Sequence, residues 1–460
     1  MLEVVQAFDR ALIAEIETDD AAALERKLQA AERVFRDRDG WLQPHERMAV
    51  LRRLAVLMEG RRDHLAMQIA REGGKPLPDA IIETNRAIDG VYNAADELRS
   101  FAGREIPMGL SAAAEHRWAF TTKEPIGVVA AISAFNHPLN LIVHQVAPAI
   151  AVGCPVIVKP ASTTPLSCLD FVALVREAGL PEPWCQSFVT EDNGLAEKLA
   201  TDNRVAFLSF IGSARVGWSL HSKLAPGTRS ALEHGGAAPA IIDRSADLGK
   251  VIEPIVKGGY YHAGQVCVST QRIFVHEDIA EGFIQALVAR VEDLRTTDPT
   301  LQDTEVGPLI LPREADRVAQ WIKEAVEGGA TLATGGRRLS ETTLEPAVLL
   351  DPAVDAKIST LEVFGPVVAV SRYRDLDGAI RRANSLPTAF QASIFAQDID
   401  IAMRAANRLD ASAVMINDPT AFRTDWMPFA GRRESGYGTG GIPYTMRDMT
   451  QEKMILMRRS

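Results

Sequence analysis

Residues 128–135, VVAAISAF, with LNLIVHQVAPAI at 139–150, VIVK at 156–159 and SCLDFVALVREA at 167–178, decide the fold. Short β-branched runs alternate here with helical segments, the signature of βαβ units in which crossover helices join parallel strands. The rhythm continues with a strand at 205–211, a helix beginning near Ser213 and a strand at 230–233, after which Gly235 and Gly236 punctuate the chain. A second series follows, with strands expected at 272–276, 367–370, 393–395 and 414–417 and helices at 279–294 and 313–328. Two successive α/β domains account for this pattern, with a boundary near Gly235. From about residue 20 to 105 apolar positions such as Val50, Leu51, Leu54, Leu57 and Met58 recur at helical spacing. At the other end, residues 453–457 read as a terminal strand. Such a strand needs a partner for its backbone, which a subunit contact would supply. The chain shows no long-period repeat and no Pro/Ser-rich linker, so the domains are expected to be tightly joined.

A chain of 460 residues exceeds what one hydrophobic core organises, and 47% hydrophobic with 24% charged residues is an ordinary globular composition. The formal net charge of -10 repels a phosphate backbone, which argues against nucleic acid as a partner. The most apolar stretch, 139–158, is interrupted by His144, Gln145, Pro148, Gly153 and Pro155, so it reads as buried helix and strand rather than a membrane span. No basic segment followed by an apolar one opens the chain, which makes the cytoplasm the expected compartment. Cys154, Cys168, Cys185 and Cys267 are too few for a disulfide framework, and no Cys-x-x-Cys or His-x-x-x-His spacing suggests a metal.

Five places carry candidate chemistry. Cys267, in Gly264-Gln265-Val266-Cys267, lies between a helix-like segment and a β-rich run, so it is expected on a loop that reaches a cleft. The bland reading is a small buried hydrophobe. Glu233 ends an apolar strand ahead of two glycines that allow a bend, where its carboxylate would accept a proton or simply be solvated. Asn136, before a turn, either donates to a ligand or satisfies local backbone. Lys159 and the run Phe210-Ile211-Gly212-Ser213 mark strand C-termini, the edge where open α/β sheets bind nucleotides, and a helix N-terminus capped by Ser213 would hold a pyrophosphate. A Gly-x-Gly-x-x-Gly spacing at Gly436, Gly438 and Gly441 has no evident strand before it or helix after it and reads as a flexible loop.

In this order, Phe135-Asn136-His137-Pro138, Lys159-Pro160, Phe210-Ile211-Gly212-Ser213, Leu232-Glu233-His234-Gly235-Gly236, Gly264-Gln265-Val266-Cys267, Glu362-Val363-Phe364-Gly365-Pro366 and Met427-Pro428-Phe429 resemble the aldehyde dehydrogenase superfamily over nearly the whole chain. The resemblance, similar to lactaldehyde and small anionic aldehyde dehydrogenases, implies two doubly wound α/β domains and a small β oligomerisation element. Residues 1–109 and 131–234 would form the nucleotide-binding domain, 235–430 the catalytic domain, and 110–130 with 445–460 the oligomerisation strands of a homodimer or homotetramer. It further implies Cys267 as nucleophile, Asn136 as oxyanion donor with the Cys267 backbone N–H, and Glu233 as the base for deacylation. Lys159 would hold the adenosine ribose, Gly212 and Ser213 the pyrophosphate, and Glu362 and Phe364 the nicotinamide side. Ser162 stands where many NAD-preferring relatives carry a glutamate that repels a 2′-phosphate, so NAD is expected and NADP stays open.

His234, Ile211 and Ala430 depart from the usual motif residues without removing a chemical role. His137 stands where an aromatic is frequent; a partly charged imidazole there would favour the thiolate or an anionic substrate, and a neutral packing histidine is the alternative. Arg423, just ahead of Met427-Pro428-Phe429, would bind a carboxylate, phosphate or sulfonate, suggesting a small anionic or hydroxylated aldehyde, unless it pairs with Asp425. Competing readings are an acylating dehydrogenase using coenzyme A, which generally lacks the Glu233 base, a cysteine hydrolase or acyltransferase, for which no Cys-His motif surrounds Cys267, and a non-enzymatic binding protein that keeps the fold.

Overall fold

The β-branched runs after residue 127 become the middle of a parallel sheet. The computed structural model describes Met1 to Arg459, and in it Val128–Ile132 lies between Val205–Ile211 and Val156–Lys159 in a six-stranded sheet. Arg229–Glu233 and the short Gly436–Tyr437 extend one side and Cys185–Ser187 the other; only Gly436–Tyr437 is antiparallel. Val128–Ile132 is buried along its whole length, as a strand covered on both faces must be. From it the chain builds outward through Val156–Lys159 and Cys185–Ser187, then returns to its other side with Val205–Ile211. A crevice opens at the strand C-termini where the order reverses in this way.

A seven-stranded sheet follows, ordered Thr331–Thr334, Ala347–Leu350, Val367–Tyr373, Thr270–His276, Ala238–Ile242, Gln391–Phe395 and Ala413–Ile416, with only the first strand antiparallel. The expected strands and helices of this half all form, within three residues of their expected limits.

Helices Ala21–Arg36, Pro44–Gly60, Arg62–Gly73 and Leu77–Glu97 fill the opening stretch. Pro44 in the first turn, with Glu46 accepting from the Gln43 N–H at 2.7 Å, starts the second of these, and Gly74 at φ 72° ends the third. Leu51, Leu54, Ile69 and Val91 from these helices pack around Asn140–Val152, a helix buried on every side, which is why its sequence is apolar all round. No helix among the described residues is long and apolar enough to cross a membrane.

The structure corrects four expectations. Val128–Ile132 belongs to the six-stranded sheet, so that sheet begins before residue 131 and residues 128–130 are not oligomerisation strand. Likewise Ile442–Asp448 is a helix whose Ile442 and Met446 join the first core, so residues 445–448 are not strand. The terminal strand, Thr450–Arg458, finds its partner within the chain, pairing antiparallel with Arg117–Pro125 from Thr450↔Pro125 to Arg458↔Arg117. Finally, the Gly436–Gly441 segment does have a strand and a helix: Gly436–Tyr437 pairs with Leu232 and Glu233, and a helix follows Gly441. A hairpin of Leu2–Val5 and Leu12–Ile16, unassigned in the sequence reading, packs Leu2 and Val4 near Val189.

Candidate active site

The loops that follow Ile132 and Ile211 open into a cleft of about 770 Å³, and the loop carrying Cys267 forms part of its wall. Asn136, His137, Ser162, Gly212, Ser213, Glu233, Cys267, Glu362, Phe364 and Arg423 all line it. Lys159 does not; its Nζ donates to the Pro160 carbonyl at 3.2 Å.

The cysteine loop is set by an unusual backbone. His262, Ala263 and Gly264 take φ values of 49°, 54° and 71°, three consecutive residues in the left-handed region that L side chains disfavour. At Gly264 a Cβ would lie 2.1 Å from the Gly365 carbonyl oxygen, so only glycine closes this turn. Gln265 then anchors the loop: its Nε2 donates to His262 O and Pro308 O, each at 3.2 Å, and its Oε1 accepts from Ile310 N at 2.9 Å. The Gln265 carbonyl in turn accepts from Asn136 Nδ2 at 2.9 Å. An amide nitrogen carries two N–H groups, so this bond orients the Asn136 side chain and leaves a second donor for a ligand.

Cys267 keeps part of its surface on the cleft. Burial pushes its thiol up to about 12; Arg423 opposes the rise, whereas the Glu233 and Glu362 carboxyls add to it. The free thiol is therefore protonated at neutral pH. Glu233 ends the Arg229–Glu233 strand, and burial raises its carboxyl while Arg423 opposes. Gly440 makes room for it, since a Cβ there would stand 2.1 Å from Glu233 Oε1. Glu362 is pushed up to about 8 by burial, and its Oε1 is buried without a hydrogen-bond partner. Gly235 is needed beside it because a Cβ would lie 1.7 Å from that oxygen.

Arg423 does not pair with Asp425. The Asp425 carboxylate accepts instead from Arg86 at 2.8 and 3.2 Å, from His144 Nε2 at 2.7 Å and from Asn140 Nδ2 at 3.1 Å. Arg423 lies 3.5 Å from the Phe429 ring centre and donates to His144 Nδ1 at 3.3 Å, while its Nε is buried and unpartnered. Donation to Nδ1 makes Nε2 the protonated nitrogen of a neutral His144, and burial followed by Arg423 holds that imidazole at about 4. The other cations of this region have carboxylate partners: Lys75 has Glu83, Arg86 has Asp425 and Lys257 has Asp79. His137 is buried, and burial together with Lys75 and Arg86 drives its imidazole well below the usual range. The partly charged His137 considered from sequence gives way to a neutral one, its Nε2 3.4 Å from the Tyr261 hydroxyl.

Four helices follow the C-termini of the parallel strands of the six-stranded sheet; Asn193–Thr201 is capped by the Asp192 side chain, and of the other three, two have occupied N-termini. Glu83 accepts from the Leu139 and Asn140 N–H groups, both at 3.1 Å, and Glu72 from those of Leu166 and Ser167, both at 2.8 Å. The third, Ala214–His221, starts at the exposed Ser213 without any side-chain cap. Its free N–H groups and positive dipole end suit a pyrophosphate, and the orphaned Glu362 oxygen suits a ribose hydroxyl. These residues fit a nicotinamide dinucleotide. Sequence reasoning missed the roles of Arg86, His144 and Tyr261, which sit in no motif and reach the site only through packing, and named Asp425 only as an alternative partner of Arg423.

The profile of the aldehyde dehydrogenase family matches residues 1–455. The 3-sulfolactaldehyde dehydrogenase of Priestia aryabhattai is 38% identical over 415 residues, covering 90% of this chain and 86% of the relative. Aldehyde dehydrogenase 21 of Physcomitrella patens, solved with its reaction product succinate, superposes with a TM-score of 0.96 at 34% identity, covering 99% of this chain and 95% of that one. The glyceraldehyde-3-phosphate dehydrogenase of Methanocaldococcus jannaschii, solved with NADP, gives 0.95 at 31% identity over 100% and 99% of the two chains. Matched over nearly its whole length in sequence and in fold, the chain belongs to the aldehyde dehydrogenase family, the NAD(P)-dependent oxidoreductases that act on aldehydes.

Proposed function

We propose that the protein oxidises a small aldehyde to its carboxylic acid through a thiohemiacetal and then a thioester on Cys267. The observation that carries this is convergence: the Cys267 sulfur, the Asn136 amide and the Glu233 carboxyl share one cleft with the uncapped helix start at Ser213. Bound NAD(P)+ supplies the hydride acceptor. The Cys267 thiol gives its proton to solvent and the resulting thiolate adds to the aldehyde carbon, while the spare Asn136 N–H with the Cys267 backbone N–H stabilises the oxyanion; one such donor is worth about 10²- to 10³-fold in rate. Glu233, partly buried and free of any ion pair among the described residues, takes a proton from the water that attacks the thioester, releasing acid and thiol. That carboxyl in the cleft favours hydrolysis over transfer to coenzyme A.

The substrate is a small hydroxylated or anionic aldehyde. Arg423 supports this as a half-buried cation on the cleft wall whose buried Nε has no acceptor. The relatives above are named for substrates or products bearing a sulfonate, a carboxylate and a phosphate. Ser162 on the wall carries no charge against a 2′-phosphate, so NADP is accommodated beside NAD. Met454, Ile455, Leu456, Met457 and Trp118 remain exposed on the terminal sheet and favour a homodimer or homotetramer. A panel of charged and neutral aldehydes, followed by reduced-nicotinamide absorbance with both cofactors, tests the reading. Turnover abolished by Cys267→Ala is expected, and no turnover with any aldehyde would refute it.

A further inference from the structure

The Leu77–Glu97 helix carries Glu83 into the interior, where it and Lys75 are both fully buried as an ion pair. Glu83 Oε2 accepts from Lys75 Nζ, and Oε1 accepts from the backbone N–H groups of Leu139 and Asn140. Leu139, at the N-cap of the Asn140–Val152 helix, offers no capping side chain of its own, so the cap comes from another helix. The segment between Ser133 and Leu139, which holds Asn136, is thereby tied at both ends. At its start the Ser133 N–H donates to Lys159 O at 3.0 Å in the sheet, and at its end Glu83 holds the helix.

Lys75 also reaches the other loop of the site. Its Nζ lies 5.5 Å from the ring centre of Tyr261, the residue that precedes the left-handed turn before Cys267. The pair thus sits at the seam between the Asn136 loop of the first sheet and the Cys267 loop of the second. A buried ion pair adds little stability over apolar side chains of the same volume. What apolar side chains cannot do is accept two N–H groups.

We propose that Glu83 is a positioning residue for aldehyde oxidation: by accepting the two N–H groups that open the Asn140–Val152 helix, with Lys75 as counter-ion, it sets the Asn136 amide against Gln265 O and so toward the oxyanion on Cys267. This rests on the proposed role of Asn136. A misplacement of about 1 Å costs as much as about 10²-fold in rate.

Two double variants separate capping from charge and packing. Lys75→Gln/Glu83→Gln keeps an accepting oxygen, whereas Lys75→Met/Glu83→Met keeps the volume without it. With propanal and NAD+, the Gln pair is expected within about threefold of wild-type kcat and the Met pair down about 30-fold, with KM for NAD+ unchanged. In an Asn136→Ala background the Met pair should lower kcat less than about twofold, because the donor to be positioned is gone. Wild-type kcat in the Met pair, an equal loss in the Gln pair, or the full loss in the Asn136→Ala background would each overturn the proposal. Hydrogen exchange of the peptide 133–141 gives a readout independent of activity: faster in the Met pair and unchanged in the Gln pair is expected, and equal exchange in both overturns the tie. A wild type inactive on every aldehyde would sink the proposed function while leaving this readout intact. Should the Met pair fail to fold, Glu83→Gln alone must keep both kcat and the protection of 133–141, and loss of either overturns the idea.

Discussion

The pH dependence of Cys267 alkylation gives the sharpest check on the electrostatics of the cleft. Burial pushes the thiol up from an ordinary value of 9.0 to about 12, so at pH 8 the thiolate fraction is about 10⁻⁴, against about a tenth for an exposed cysteine. The rate of reaction with iodoacetamide in the absence of cofactor should therefore rise about tenfold per pH unit between pH 7 and 10, without a plateau. Cys154, Cys168 and Cys185 are buried, so Cys267→Ser should leave almost no labelling. Arg423 is the largest influence opposing the rise, and Arg423→Gln should slow labelling at every pH, by about tenfold for each further unit of pKa. The sign for stability follows. A thiol whose folded pKa exceeds its unfolded value of 9.0 contributes stability below pH 9, and that contribution is lost as pH climbs toward 12. Mass spectrometry of the alkylated peptide over a pH series measures the first effect. A plateau below pH 9, or an Arg423→Gln variant that labels faster, would refute the reasoning.

Other outcomes follow from the same geometry. Arg423→Ala should lower kcat/KM for aldehydes bearing a carboxylate, sulfonate or phosphate about 10²-fold and for a neutral aldehyde of equal length less than about threefold, as expected of a lost charge-assisted contact; steady-state kinetics on matched pairs decides, and equal losses remove the anion preference. Glu233→Gln should leave the first turnover near normal but stall deacylation, giving a burst of about one reduced nicotinamide per subunit and a mass increase on Cys267; unchanged steady-state turnover would exclude Glu233 as the base. Gly440→Ala places a Cβ 2.1 Å from Glu233 Oε1 and should depress turnover with little change in cofactor binding by calorimetry. Gly264→Ala combines φ 71° with a 2.1 Å approach to Gly365 O, and a melting temperature unchanged within about 1 °C would show that the turn is less constrained than its geometry implies.

Sequence periodicity located the parallel strands because buried strands between helices must be short and β-branched; Val156–Lys159 and Val205–Ile211 form with the limits their residues imply. The same logic failed at Gly436–Tyr437 and Ile442–Asp448, whose order comes from pairing with the Arg229–Glu233 strand and from packing against a distant core. The terminal strand was legible as a strand, but its partner at Arg117–Pro125 lies more than 300 residues away in the chain. At the site, motif residues declared themselves, whereas Arg86 and His144 did not. Their importance lies in sharing Asp425, a contact between side chains far apart in sequence that no local pattern records.

By itself, then, the sequence determined the alternation of strand and helix, the fold class and the identity of the reactive cysteine, carboxyl and amide candidates. These follow from local preference and from ordered motifs. Tertiary structure alone decided their chemical state: that His137 is neutral, that Arg423 lacks a carboxylate partner because Asp425 is taken by Arg86 and His144, and that the helix after Ser213 starts at the cleft without a side-chain cap. Charge, protonation and hydrogen-bond vacancy depend on which groups meet in a dry interior, and that is set by packing between segments rather than by any one of them.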